Sequence, residues 1–128
     1  MSWKVSDNLW SWEIDCTCGC GLGETHGALH PALIDGFEYI RAQIGKPLSI
    51  NSGFRCYKKN KSVDGSPTSQ HLWGRALDIR LPEGVDAEYL AQLAEGFEAF
   101  KNGGIGKYNT FLHVDVRPNG PARWDLRT

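Results

Sequence analysis

Ser69-Gln70-His71-Leu72-Trp73-Gly74-Arg75-Ala76-Leu77-Asp78-Ile79-Arg80-Leu81 reads as two pieces joined by a turn. From Ala76 to Leu81 apolar and polar residues alternate, which sends Leu77, Ile79 and Leu81 to one face of a strand and Ala76, Asp78 and Arg80 to the other. Asp78 therefore lies opposite the core. His71, on a loop before this strand, can approach the same point as Asp78 if the chain reverses between them. Gly74 is the residue that makes such a turn without a side-chain clash. Ala76 leaves room beside the site.

The same alternation returns in Phe111-Leu112-His113-Val114-Asp115-Val116-Arg117, where Leu112, Val114 and Val116 face one way. His113 and Asp115 share the opposite face. Two imidazoles and one carboxylate, from His71, His113 and Asp78, form a donor set suited to zinc with an open fourth position. Water bound at that position has its pKa lowered to ~7, so hydroxide becomes available to attack an amide carbonyl.

The flanking sequence places these strands in an α+β domain. Pro31 to Ile44 carries Leu33, Ile34, Phe37, Ile40 and Ile44 at helical spacing, with Pro31 starting and Gly45 stopping the pattern. Pro47 to Gly53 alternates and predicts a strand, which leads into a loop from Phe54 to Gln70. Lys58, Lys59 and Lys61 in that loop read as a solvated face. Asp86 is a candidate N-cap for a second helix with Leu90, Leu93, Ala94 and Phe97 on its buried stripe, ended by Gly103-Gly104. Helices interspersed with strands near turns imply a central antiparallel sheet with flanking helices. Residues 1–30, rich in Trp and Cys and without helical period, read as an irregular arm wrapped on one domain spanning 1–128.

At 128 residues and 41% hydrophobic content, a single core is expected. A formal charge of -1 lacks the basic surplus that binding a phosphate backbone requires, so nucleic acid is not an expected partner. The N-terminus has no long apolar stretch after Lys4, and no run approaches the ~20 apolar residues of a membrane span. The expectation is a monomer made in the cytoplasm without a signal peptide and without membrane insertion. Cys16, Cys18 and Cys20 form a tight triplet with Cys56 far away. One disulfide from the triplet to Cys56, or buried thiols, is the simpler reading; a second, structural zinc held by all four is the alternative. His26 and His30 lie outside the pattern and are assigned no function. Trp73 and Trp124 are able to line a cleft, but tryptophan more often packs at the rim of the core, and neither is assigned a catalytic role.

Ile50-Asn51-Ser52-Gly53-Phe54-Arg55, then Gly65-Ser66-Pro67-Thr68-Ser69-Gln70-His71, then Gly74-Arg75-Ala76-Leu77-Asp78 and the later His113 together resemble the zinc D-alanyl-D-alanine carboxypeptidase family. That family includes VanX-type dipeptidases and phage endolysin peptidases and shares its fold with the hedgehog signalling domain. The Cys-rich arm and the ending Phe111 to Arg117 resemble its compact, phage-type branch. The resemblance implies His71, Asp78 and His113 as zinc ligands. It implies Arg55 as the residue that binds substrate and steadies the oxyanion, where the plain reading of Arg55 alone is a surface ion-pair residue. Ser69 reads equally as the cap of a turn or as a residue that touches substrate. It implies hydrolysis of a peptidoglycan stem-peptide bond by a metal-bound water, as a carboxypeptidase or an endopeptidase, on the cell wall after phage-assisted release.

The pattern departs at the general base. Many relatives carry an acid three positions before the last His, where this chain has Thr110, and some carry a His where it has Phe111. Asp115 is the substitute, emerging beside His113 to take a proton from the water, or else orienting His113 from behind. The departure keeps open a second reading: a zinc-binding, non-catalytic cell-wall or partner-binding module of the same fold. A cysteine-based redox or zinc-ribbon protein is disfavoured, because no Cys-x-x-Cys pair is present.

Overall fold

The computed structural model describes residues 4–16, 29–63, 65–66 and 68–128, Tyr57 by its backbone alone. Its elements in chain order are β1 (Lys4–Ser6), β2 (Leu9–Trp10), α1 (Ser11–Ile14), α2 (Pro31–Ile44), β3 (Ile50–Ser52) and α3 (Tyr57–Ser62). A 3₁₀ turn (Gln70–Trp73), β4 (Ala76–Arg80), α4 (Ala87–Glu95), α5 (Glu98–Lys101), β5 (Gly104–Lys107), β6 (Phe111–Asp115) and β7 (Ala122–Asp125) follow.

Five strands form one sheet in the order β3-β4-β6-β5-β7. The first three pairings are antiparallel, whereas β7 lies parallel to β5, so the expected antiparallel sheet is a mixed one. The strand alternation read from sequence holds: Leu77, Ile79, Leu112 and Val114 are fully buried on one face. Ile105 joins them, and the helices cover this face with Leu33, Phe37 and Ile40 of α2, Leu90 and Ala94 of α4, and Phe100 of α5. Each fully buried Leu, Ile or Phe of this layer stabilises the fold by roughly 1.5–3 kcal/mol relative to exposure.

Helix α2 has the predicted bounds. The imidazole of His30, given no role from sequence, caps it by accepting from the Ala32 N–H, and Gly45 closes it with a φ of 67°. Asp86 caps α4 through the Tyr89 N–H as expected, but the expected single helix is interrupted at Gly96 and resumes as α5. The Phe54–Gln70 loop contains α3, capped when the Cys56 sulfur accepts from the Lys59 N–H. Its sequence, Tyr57 to Ser62, carries no apolar stripe, and a helix held by its cap and tertiary contacts leaves no period to read. Strands β5 and β7 were likewise not foreseen, since Gly104-Ile105-Gly106-Lys107 offers one apolar residue. In the arm, β1 pairs with β2, while Leu9 and Ile14 are buried in the core.

The face turned away from the helices carries one row across the sheet. Register pairs Ser52 with Asp78, Asp78 with His113, His113 with Gly106 and Gly106 with Trp124. Gly106 is required here by close approach: a Cβ on it would lie 2.2 Å from the indole nitrogen of Trp124. The indole thus lies across the bare backbone of β5 and reaches the His113 ring, with centroids 5.0 Å apart. Gly106→Ala is expected to push the indole off the sheet and cost about 1–3 kcal/mol, read by urea unfolding, with a shift in tryptophan emission in the folded state.

Candidate metal centre

Three segments bring the predicted ligands together. Ser69 caps the 3₁₀ turn by accepting from the His71 N–H, and Gly74 ends it in the left-handed region with a φ of 66°. This is the reversal expected of Gly74, and it returns the chain into β4 with Asp78 beneath His71. Cross-strand pairing then sets His113 against Asp78.

The donor atoms converge. His71 Nε2 lies 3.2 Å and His113 Nδ1 3.0 Å from the same Asp78 oxygen, and one ligand atom from each residue lies within 4.8 Å of the others. Among the described residues this is the one group of His, Cys, Asp and Glu side chains close enough to hold an ion. All three side chains are buried.

The outer ring nitrogens are tied in place. His71 Nδ1 lies 2.7 Å from the Gly53 carbonyl, an obligate acceptor, so Nδ1 carries a proton and Nε2 is the nitrogen turned to Asp78. His113 Nε2 donates to Asp115 Oδ2 at 2.6 Å, leaving Nδ1 to face Asp78. Both rings are oriented as metal-binding imidazoles are, with the far N–H on a carbonyl or a carboxylate. The set fits zinc: two nitrogens and one carboxylate oxygen.

Electrostatics agree with the geometry. Burial pushes the Asp78 carboxyl upward, but hydrogen bonds from His113 and His71 outweigh it and hold the group well below the usual carboxylate range. For His113, burial disfavours the cation, while Asp115 and Asp78 on its two sides more than reverse this and raise its pKa. Asp115 is likewise pushed up by burial and pulled further down by His113 and Arg117.

Asp115 shares the face of His113 as the alternation predicts and lies against its ring, but at Nε2, the nitrogen turned away from Asp78. Its side chain is 0% exposed and accepts from the Gly104 and Arg117 backbone N–H groups, from the Arg117 guanidinium and from His113. A general base must reach the proton it removes. This carboxylate is buried, and both of its oxygens are engaged by protein donors.

A cleft of about 630 Å³ opens over the triad. Arg55 lines it, with Nη1 on Asn60 Oδ1, Nη2 on Ser52 Oγ, and Asp78 Oδ2 4.0 Å away. Ser69 lines it too, with its oxygen engaged in the turn cap. The cleft also holds Tyr108, Phe111 and Arg117, which the sequence does not single out, and Trp124. Trp124 fits both readings the sequence allows: its ring packs on the sheet and lines the cleft, and it donates from Nε1 to the Tyr108 hydroxyl at 2.9 Å. Asp78 is the one acid lining the cleft among the described residues. Trp73 is exposed and stands outside it.

The sulfurs of Cys16 and Cys56 lie 3.6 Å apart, in contact but not bonded. Cys18, Cys20 and His26 lie outside the described residues, and a second ion at the cysteines gains no support.

Binding a cation at His113 Nδ1 displaces the proton that Asp78 and Asp115 favour there. Stability from protonated His113 in the metal-free protein is complete below its unfolded pKa of 6.5 and fades as pH rises through the raised folded value. Zinc affinity is therefore expected to rise with pH across this range, by about tenfold per unit below the His113 pKa. Titration calorimetry in buffers of different ionisation enthalpy measures the released proton. Asp115→Asn should weaken zinc binding about 10–100-fold in the same experiment.

Two curated proteins are similar to this chain. A zinc D-Ala-D-Ala carboxypeptidase from Streptomyces albus G is 33% identical over 70 residues, covering 54% of this chain and 28% of that protein. A probable peptidoglycan L,D-endopeptidase MepK from Haemophilus influenzae is 29% identical over 100 residues, covering 70% of this chain and 52% of that protein. The chain thus spans 28% and 52% of the lengths of these relatives. The family model for peptidase M15 matches residues 7–115, a stretch that runs from the arm through all three converging side chains to Asp115, and the chain belongs to the peptidase M15 family.

Proposed function

We propose that this protein is a zinc metallopeptidase that hydrolyses a peptide bond in the peptidoglycan stem peptide, as a D-Ala-D-Ala carboxypeptidase or an endopeptidase. The observation that carries the reading is the convergence of His71 Nε2, Asp78 Oδ1 and His113 Nδ1, with both outer ring nitrogens pinned. The substrate class follows from the two relatives, one named for D-Ala-D-Ala and one for peptidoglycan. Their two names also bracket the choice between end-trimming and internal cleavage.

Zinc, when bound, supplies a Lewis acid and acidifies a water molecule to a pKa of ~7. The protein's own groups supply the rest. Gly53 and Asp115 hold the two rings in the tautomers that binding needs. Arg55, fixed by Ser52 and Asn60, donates to the substrate carbonyl or carboxylate and steadies negative charge as it develops. Ser69 holds the turn that carries His71 and borders the substrate. Asp115 acts as a positioning residue rather than the base, because every direction around its carboxylate is taken by protein donors.

Purified protein loaded with zinc and incubated with isolated peptidoglycan is expected to release new amino groups, and chelator should abolish the release. Mass spectrometry of the digest identifies the bond. His71→Ala should abolish both zinc binding and cleavage. Arg55→Ala should lower kcat/KM by about 10²–10³-fold with zinc affinity unchanged. Stoichiometric zinc without any cleavage would instead identify a non-catalytic binding module of the same fold.

A further inference from the structure

The guanidinium of Arg117 has a role that the metal centre does not consume. It uses one edge to clamp Asp115, with Nε donating to Oδ1 at 2.9 Å and Nη2 to Oδ2 at 2.7 Å. An arginine has a second donor edge, made by Nη1 and the other proton of Nη2, and a planar carboxylate fits it with two parallel hydrogen bonds. In Arg117 that outer edge has no protein acceptor among the described residues, and the side chain is 23% exposed where it borders the cleft.

The group is already immobilised. Asp115, fully buried, holds one edge, and the Trp124 ring lies under the guanidinium carbon at 5.3 Å from its centroid. An arginine held in this way loses little side-chain entropy when it takes a ligand. Its place in the sheet matters as well. Arg55 contacts Ser52 of β3 and Asp78 of β4, whereas Arg117 contacts Asp115 of β6 and Trp124 of β7. The two cations thus stand on opposite sides of the His71, Asp78 and His113 triad, within one cleft.

We propose that Arg117 is a specificity residue that binds a free carboxylate of the substrate peptide through its outer edge, on the side of the metal centre away from Arg55. This rests on the peptidase reading and deepens it by naming the substrate chemistry: a peptide carrying an anionic carboxylate several bonds from the scissile amide, not its carboxamide counterpart. Asp115 connects the two tasks, since one carboxylate orients both a metal-binding ring and the carboxylate-reading guanidinium.

The test uses zinc-loaded full-length protein and pairs of synthetic stem peptides that differ only in whether the terminal or side-chain carboxyl is free or amidated. Binding is measured by calorimetry, and turnover by release of amino groups. The unmodified protein is expected to bind one free-acid peptide about tenfold or more tightly than its amide. Arg117→Gln should reduce that ratio to below about threefold, as should Arg117→Lys, which keeps a cation on Asp115 but lacks the second edge. The lysine variant also covers the case in which the glutamine variant fails to fold. Equal binding of acid and amide by the unmodified protein, or an unchanged ratio in either folded variant, would overturn the assignment. If zinc-loaded protein binds the peptides with the expected preference but never cuts them, the peptidase reading fails and the Arg117 assignment stands. If it binds no peptide, both fall.

Discussion

The cross-strand pair of Asp78 and His113 is the contact on which the rest of the molecule turns. It joins β4 to β6 at the middle of the sheet, and it places a carboxylate and an imidazole in a buried setting where neither is tolerated alone. Each therefore recruits partners. Asp78 takes His71 at the same oxygen, and His113 takes Asp115, which in turn takes Arg117 and the Gly104 N–H. What holds this chain of polar groups in place is the opposite face of the same strands. There Leu77, Ile79, Leu112 and Val114 are locked under α2 and α4, so the alternation of a strand transmits the rigidity of the core to the site.

Strand β5 contributes by what it omits. Its site-facing positions are Gly104 and Gly106, and side chains there would run into Asp115 and Trp124 respectively. The bare backbone gives Asp115 a donor and a berth behind His113. It also lets the indole of Trp124 lie flat as the wall of the cleft, with the Tyr108 hydroxyl on its edge. Two glycines on a five-strand sheet thereby decide which rings can stand next to the triad.

Charge is distributed with the same economy. The carboxylates of Asp78 and Asp115 lie inside, while Arg55 and Arg117 look outward into the cleft from either flank. With a divalent ion on the triad, the opening would present positive potential to an arriving anion, although the chain as a whole carries a formal charge of -1.

Much of this was legible in the residues alone. The period of two in Ala76–Leu81 and Phe111–Arg117, together with Gly74 between His71 and Asp78, pointed to the three side chains that the structure brings together, because strand alternation is a local property of the backbone. Helix α2 and the Asp86 cap were readable for the same reason. Tertiary structure decided the rest. Whether Asp115 faces solvent or sits sealed behind His113 depends on Arg117 and on an absent side chain at Gly104, which belongs to a different strand. The parallel pairing of β7 with β5, which brings Trp124 to His113, leaves no periodic trace, since its register is set by distant partners and not by neighbours in the chain.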